Sequence, residues 1–273
     1  MDASPSSRDL EKHNRTGRHT DTETAELIRA KTELEETVAR RTEELQEAIE
    51  QLESFAYSIA HDMRAPLRTM HQYAEIVARD FAARVPDEVL SYLKKIMGAA
   101  EKLDTHIREV LIYTRVSQGR LEMQPINLES VLSEILMSPH LNSPTVEVSA
   151  RLPLHPVVGD QTALTQGLLN LLSNAVKFVP GDRKSKINIW TELRGEDVRI
   201  YIKDNGIGIA AADHERIFKL FERLHPESGY QGTGIGLTIV RRAVERMNGK
   251  LGVESEEDQG STFWIELKKG ELS

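Results

Sequence analysis

SIAHDMRAPL occupies residues 58–67. His61 is followed by Asp62, Arg64 and Pro66, with apolar residues on both sides, so the stretch reads as helix. A proline inside a helix removes a backbone hydrogen bond and kinks the chain, at a cost of about 3 kcal/mol. Taken alone, the stretch fits a bent bundle helix with a surface histidine. Its surroundings decide what it is.

Upstream, from Leu27, apolar residues recur every seven positions. One seam is Leu27, Leu34, Arg41, Ala48 and Phe55; the other is Lys31, Val38, Leu45, Leu52 and Ile59. Charged residues such as Glu35, Glu36, Arg40 and Glu43 fill the remaining positions, so 22–54 is expected as a coiled-coil signalling helix with polar intrusions at Lys31 and Arg41. Residues 1–21 are polar and aperiodic and are expected as a disordered tail. Downstream of Pro66 the frame becomes Leu67, Met70, Ala74, Val77 and Phe81, joined to the first through Met63 by one extra step of four, a stutter. His61 lies off the seam in either frame and should face outward.

A turn is expected at 83–87, around Pro86. Val89, Leu93, Ile96, Ala100, Leu103, Ile107, Val110 and Thr114 then step by four and three, the cleanest amphipathic helix in the chain. Residues 55–118 therefore read as an antiparallel hairpin. A hairpin with one apolar stripe cannot bury it alone. Two copies make a four-helix bundle, and a parallel coiled coil would hold them together, so a homodimer is expected.

After Gly119 the pattern changes. Strands are expected at Val146–Ala150, Ile187–Leu193, Val198–Lys203, Lys250–Ser255 and Thr262–Leu267. Helices are expected at Leu128–Met137, Gln161–Phe178, Ala210–Phe221 and Ile235–Met247. Residues 119–273 thus form a mixed α/β domain, helices covering one face of a largely antiparallel sheet. The fold class is multidomain, α followed by α+β.

Composition narrows the function. Among 273 residues, 43 acids against 35 bases give a formal net charge of −8, which argues against non-specific nucleic-acid binding. The absence of cysteine rules out disulfides and thiolate chemistry, and is compatible with the cytoplasm. No run of about 18 apolar residues is present, so no direct membrane insertion is expected.

Three clusters in the α/β domain carry chemistry. In LLNLLSNAVKF, 168–178, Asn170, Asn174 and Lys177 share one helix face opposite the leucines. Such a row suits a magnesium ion and phosphates, an amide oxygen ligating the metal and lysine acting as a point charge. It suits equally well asparagines bonded locally beside a surface lysine. In DNGIGI, 204–209, Asp204 ends a strand and Gly206 and Gly208 let a flat ligand approach the backbone; a carboxylate there accepts from an exocyclic amine such as that of adenine, though Asn-Gly is also a common turn. In GTGIGLTIV, 232–240, Gly232, Gly234 and Gly236 open a helix, a ready anion site. Neither the Walker nor the Rossmann spacing is present.

HDMRAPL, NLLSNAVKF, DNGIGI, FERL and GTGIGL, in this order, resemble the H, N, G1, F and G2 boxes of bacterial two-component sensor histidine kinases. Any box alone is weak, but five in order are specific, and the resemblance covers about residues 22–269. RRTEELQEAIEQLESFAYS and RLHPESGYQGTGIGL look most like the phytochrome-type and related PAS-linked group. The resemblance implies a dimerisation hairpin with the phosphoacceptor histidine, then a Bergerat-type α/β sandwich that binds ATP and Mg²⁺. It makes His61 the phosphorylated residue and Asp62 the group that orients its imidazole. Asn174 would ligate Mg²⁺, with Asn170 and Lys177 near the phosphates. Asp204 would bond the adenine amine, with Gly206 and Gly208 shaping the pocket. Phe218 and Phe221 would pack the base of a lid, 222–233, and Arg223 would reach the γ-phosphate. Gly232, Thr233, Gly234, Gly236 and Leu237 would hinge over the nucleotide.

Read this way, the opening stretch makes sense. The acceptor is exposed, the acid holds one ring N–H so that the other nitrogen is free, and the proline loosens the helix. The implied partners are a response-regulator receiver domain and an upstream sensor, either a domain of a longer chain or a separate protein. Two departures stand out. Ala65 is placed where many relatives carry Thr or Asn, which implies weak phosphatase activity; Met247 and Asn248 replace the more usual His-Gly. Two rivals are an ATPase of the gyrase, chaperone and mismatch-repair group and a non-catalytic dimeric scaffold. The first would carry a glutamate base where Asn170 stands; the second would not need Asn174, Asp204 and the glycines.

Overall fold

The structure, a computed structural model, describes residues 7–118, 120–139, 141–224 and 232–271, with side chains from Ile28 onward apart from Glu53 and Gln118. The chain divides into two compact units, 1–53 and 54–273. Helix α1 (Ser7–Asp80) belongs to the first up to residue 53 and to the second thereafter.

In the first unit α1 begins at Ser7, so residues 7–21, expected as part of a disordered tail, are helical. No proline lies between Pro5 and Pro66, and Glu, Lys and Arg favour helix, so nothing in the sequence stops the helix from extending backward. Residues 1–6 of that tail, and the side chain of the seam residue Leu27, lie outside the described residues. The seam side chains Val38, Leu45 and Leu52 are 56%, 64% and 68% exposed. Four-residue pairs such as Arg40–Glu44 line the rest of the helix.

In the second unit α1 continues through Pro66 and reaches Asp80; a 3₁₀ turn, Ala82–Arg84, and Pro86 lead into α2 (Asp87–Gln118), whose first turn carries Asp87 and Glu88. The two helices run antiparallel: Ala60, Leu67, Ala100 and Ile107 bury together, Arg64 faces Asp104 at 3.5 Å, and His71 bonds Glu101 at 3.0 Å. The buried row on α1 is Ala60, one position past Ile59 of the upstream seam, then Leu67 and Ala74 of the downstream frame, while Phe55, Ile59, Met63 and Met70 stay exposed. On α2 the stripe divides likewise: Ala100, Ile107 and Thr114 are buried, Val89, Ile96 and Leu103 exposed. Each helix thus carries a second apolar face that the hairpin does not cover.

The remainder is the α/β domain: β1 (Gln124–Ile126), α3 (Leu128–Leu136), β2 (Val146–Ala150), β3 (Val157–Gly159), α4 (Gln161–Lys177), β4 (Ser185–Arg194), β5 (Asp197–Lys203), α5 (Gly236–Arg246), β6 (Lys250–Ser255) and β7 (Ser261–Lys268). A five-stranded sheet has the order β2-β4-β5-β7-β6, parallel only between β2 and β4; β1 and β3 form a separate antiparallel pair. Register sets Ile189 against Ile202 and Ile200 against Ile265. Alternation sends those residues inward, where they join Leu164, Leu168 and Leu172 of α4 and Ile239 and Val240 of α5 in one core. The opposite face carries Trp190 stacked on Tyr201 at 4.8 Å and Arg199 above Trp264 at 4.0 Å.

Caps fix the helix starts. The Asn127 side chain accepts from the N–H groups of Glu129 and Ser130, opening α3, and Asp160 accepts from Ala163 N–H, opening α4. Met247 is buried, its sulfur taking the Asp160 N–H at 3.4 Å, and Asn248 holds φ +55° just past α5, a left-handed position that asparagine tolerates. This is what Met-Asn does in place of His-Gly.

The helix expected over 210–221 is absent as such: two 3₁₀ turns, Ala211–Asp213 and Arg216–Phe218, take its place. Local bonds win over helical periodicity here. His214 Nε2 is 3.2 Å from the carbonyls of both Ile209 and Ser255, Arg216 pairs with Asp213 and Glu222, and Phe221 holds φ +63°.

Candidate active site

Helix α4 builds the site. Its buried residues, Ala163, Leu164, Gly167, Leu168, Leu171, Leu172 and Ala175, form one stripe, leaving Asn170, Asn174 and Lys177 along a half-buried edge. All three line a cavity of about 580 Å³. Its floor includes Asp204 and Phe263; the glycines Gly208, Gly232, Gly234 and Gly236 edge it, and Thr233, Leu237 and Arg223 reach it.

Asp204 is buried at the end of β5, and burial pushes its carboxyl up. Two backbone donors oppose that rise: Gly206 N–H at 2.8 Å and Ser261 N–H at 3.1 Å, both to Oδ1. The second oxygen, Oδ2, takes part in neither bond. Gly206 is required beneath it, since a Cβ there would lie 2.8 Å from Asp204 Oδ1 and 2.9 Å from the Phe178 carbonyl. At Gly208, with φ +72°, a Cβ would fall 1.8 Å from the Glu256 carbonyl. Both glycines let this turn pack tightly against the chain's own backbone beside the carboxylate; Gly208 lines the cavity and Gly206 does not.

Lys177 is the cation on the α4 edge of the cavity. Its pKa is lowered first by burial and also by Arg223, while the Glu109 charge raises it. Its ammonium lies 4.5 Å above the Phe178 ring, and a Cβ on Gly232 would come within 2.3 Å of it, so glycine keeps room for the lysine head. Asn170 Nδ2 donates to the Gln166 carbonyl at 2.9 Å, turning Oδ1 toward Gly236. An amide stands there, not a carboxylate that could take a proton from water.

Not every expected site residue is at the cavity. Phe218 is buried and meets Phe263 edge-to-face at 6.5 Å, supporting the floor from below. Phe221 is 63% exposed and does not line the cavity; its N–H donates to the Gly234 carbonyl at 3.1 Å. Residues 225–231 of the expected lid lie outside the described residues. Sequence reading missed the apolar lining, Ile207, Ile209, Ile217 and Leu224, and the whole wall that α2 contributes: Lys102, Thr105, His106 and Glu109. Those four repeat at three, four and seven positions, a single helix face, but only the tertiary structure brings them to residues some seventy positions on.

His61 and Asp62 form a second, separate feature outside the cavity lining. His61 Nδ1 is 3.2 Å from Asp62 Oδ1, and the His61 side chain is 70% exposed. The carboxylate thus claims one ring nitrogen and leaves Nε2 to solvent. Pro66 has no N–H for the Asp62 carbonyl, four residues back, so the helix ladder lacks one bond beside the histidine.

A glycine-edged cavity over an antiparallel sheet, with an Asn–Asn–Lys helix edge and a buried aspartate, defines an ATPase-type nucleotide domain joined to a histidine-bearing hairpin. Two family models match: "Histidine kinase-, DNA gyrase B-, and HSP90-like ATPase" over residues 159–271, and "His Kinase A (phospho-acceptor) domain" over residues 51–119. The chain belongs to the sensor histidine kinase family. It is 32% identical over 233 residues to cyanobacterial phytochrome B of Nostoc sp., covering 82% of this chain and 30% of that one. It is 34% identical over 256 residues to the sensor histidine kinase AruS of Pseudomonas aeruginosa, covering 86% of this chain and 25% of that one. The chain therefore spans less than a third of the length of most of the curated relatives it matches. A full-length ShkA crystal structure in complex with AMPPNP superposes with a TM-score of 0.62 at 27% identity, covering 80% of this chain and 46% of that one.

Proposed function

We propose that this chain is an ATP-dependent protein histidine kinase module that phosphorylates itself on His61 and passes the phosphoryl group to an aspartate of a response-regulator receiver domain. One observation carries the reading: a single chain holds both a donor site, the cavity around Asp204, and an acceptor, an exposed histidine with one ring nitrogen engaged by Asp62. Neither rival needs both. The amide at Asn170 and the matching phosphoacceptor model weigh against a plain ATPase. The gathering of Asn170, Asn174, Lys177 and Asp204 around one cavity weighs against a scaffold that has lost its ligand.

Asp204 accepts from the adenine amine through Oδ2 while Gly206 and Ser261 hold Oδ1. Lys177, with Arg223 beside it, draws the phosphates to one end of the cavity, and the N-terminus of α5 behind Gly232, Thr233, Gly234 and Gly236 meets them with backbone N–H groups. Asn174 would hold Mg²⁺. Its single amide oxygen fits an ion that keeps waters and takes its other ligands from phosphate, and among the described residues no group of three His, Cys, Asp or Glu forms a metal cage. Mg²⁺ would neutralise charge on the transferred group. The step joins His61 Nε2 to the γ-phosphorus and breaks the bond to the β,γ-bridging oxygen, which leaves with ADP; Asp62 keeps the Nδ1 proton in place and stabilises the charge that builds on the ring.

The same reading takes a homodimer through the exposed Phe55, Ile59, Met63 and Met70 face, an upstream sensor, and weak phosphatase activity because of Ala65. Among the described residues no helix is long and apolar enough to cross a membrane; we place the module in the cytoplasm, where receiver domains would reach it.

The test is incubation with γ-labelled ATP and Mg²⁺, wild type beside His61→Gln. Acid-labile, base-stable label present only in the wild type is expected. A wild type that hydrolyses ATP without taking label would return the chain to the ATPase class.

A further inference from the structure

Glu109 belongs to the hairpin, yet it lines the nucleotide cavity. It accepts a hydrogen bond from Thr233 Oγ1, and that same oxygen accepts the Ile235 N–H at 3.2 Å. Its charge also acts on Lys177. A carboxylate borne by one domain is therefore set between the cavity's lysine and the glycine-rich turn that opens α5. Lys102, Thr105 and His106 lie on the same face of α2, so the helix offers the cavity a continuous wall. These are the groups to which the proposed function gives the triphosphate. Carboxylate and phosphate carry the same sign of charge and accept the same bonds, so at Lys177 and Thr233 they compete for the same partners, even with Lys102 and Arg223 also lining the cavity.

We propose that Glu109 is a built-in anion that competes with nucleotide phosphates for the Lys177–Thr233 end of the cavity, tying the hairpin to the catalytic domain until the phosphates displace it. The proposal rests on the cavity being an ATP site. Loading and release then become one event. The phosphates take Lys177 and Thr233, Glu109 loses both partners, and the domain is freed to carry its cargo toward His61. Thr233 is the pivot, because its hydroxyl has one proton to give.

The experiment is a calorimetric titration of the full chain with ATP and, separately, with adenosine, for wild type, Glu109→Gln and Glu109→Ala. Glutamine keeps the shape and the acceptor while removing the charge; alanine removes both. If Glu109 competes with phosphate, both variants bind ATP about tenfold more tightly than wild type, and adenosine, which has no phosphate, binds all three alike. ATP affinity unchanged or weakened in both variants would overturn the proposal. So would an equal gain for adenosine, which would make Glu109 a steric gate and not a phosphate competitor. If the wild type binds neither adenosine nor ATP, the ATP reading itself fails and takes the proposal with it, and that failure is distinct because no variant is needed to see it.

Discussion

Replacing Asp204 by asparagine separates two roles that one carboxylate holds. In the wild type the charged group is buried, and burial raises its pKa. A carboxyl whose folded pKa lies above its unfolded one favours the native state fully only below the unfolded value, near 3.8, and that contribution is lost as pH rises through the folded value. An asparagine in its place would not titrate. Its amide oxygen would take over the N–H groups of Gly206 and Ser261, leaving the NH₂ where Oδ2 stood. Asp204→Asn is therefore expected to melt at or above the wild-type temperature at neutral pH, with the gap closing as pH falls toward about 4. Ligand binding moves the other way. A hydrogen bond to a charged group is worth about 1.5–3 kcal/mol, and here it is replaced by two donors, NH₂ and adenine amine, facing each other. ATP affinity should fall by about 100-fold. Thermal melts from about pH 4 to about pH 8, paired with ATP titrations, read both effects. A variant less stable than wild type at pH 7, or one that binds ATP equally well, would refute the account of Asp204.

Two glycines with the same backbone sign make a matched comparison. Gly208→Ala meets the Glu256 carbonyl at 1.8 Å as well as the strain of φ +72°, whereas Gly195→Ala, at φ +67°, meets nothing within 4 Å. Denaturant unfolding should show about 1 kcal/mol lost at Gly195 and about 3 kcal/mol or more at Gly208, with ATP binding lost only at the latter. In the signalling helix, one residue inserted near Arg40 turns everything beyond it by about 100° and should change autophosphorylation sharply, while seven inserted residues should restore it; equal activity in both would remove the helix from the control of the enzyme.

The parts of this chain legible in its sequence are those where periodicity and chemistry agree. The α4 stripe of leucines and its Asn170–Asn174–Lys177 edge are governed by one helix, so spacing alone placed them. The strands β2, β4, β5, β6 and β7 are long enough to alternate. β1 and β3, at three residues each, are too short, and Pro125 hides the first. The 210–221 segment has helical composition, but His214 and Arg216 spend their bonds locally and across to β6, information a helical repeat does not carry. Thr233 was legible as part of a glycine box; Glu109 was not, because nothing near it in the chain announces that α2 faces the cavity. On the hairpin, periodicity presents the apolar stripe as one face. The structure divides it in two: Leu67 and Ala74 of the downstream frame take the buried side with Ala60, while Met70 and Phe81 of the same frame stay exposed.

That division has a consequence for how the molecule comes apart. The catalytic domain has a core built on its sheet and helices α3, α4 and α5, joined by Val116 from the end of α2. The hairpin's buried cluster is Ala60, Leu67, Ala100 and Ile107, two of them alanines, while Phe55, Ile59, Met63, Met70, Val89, Ile96 and Leu103 stay exposed. In the proposed homodimer a second copy would cover that exposed face. With that dimer, dilution would weaken the hairpin while leaving the sheet domain's own core in place, since a structure completed by association is governed by mass action. On that reading the abundance of the protein would itself be a variable of the switch: at low copy number the helix bearing His61 would lose its frame while the nucleotide site stayed whole.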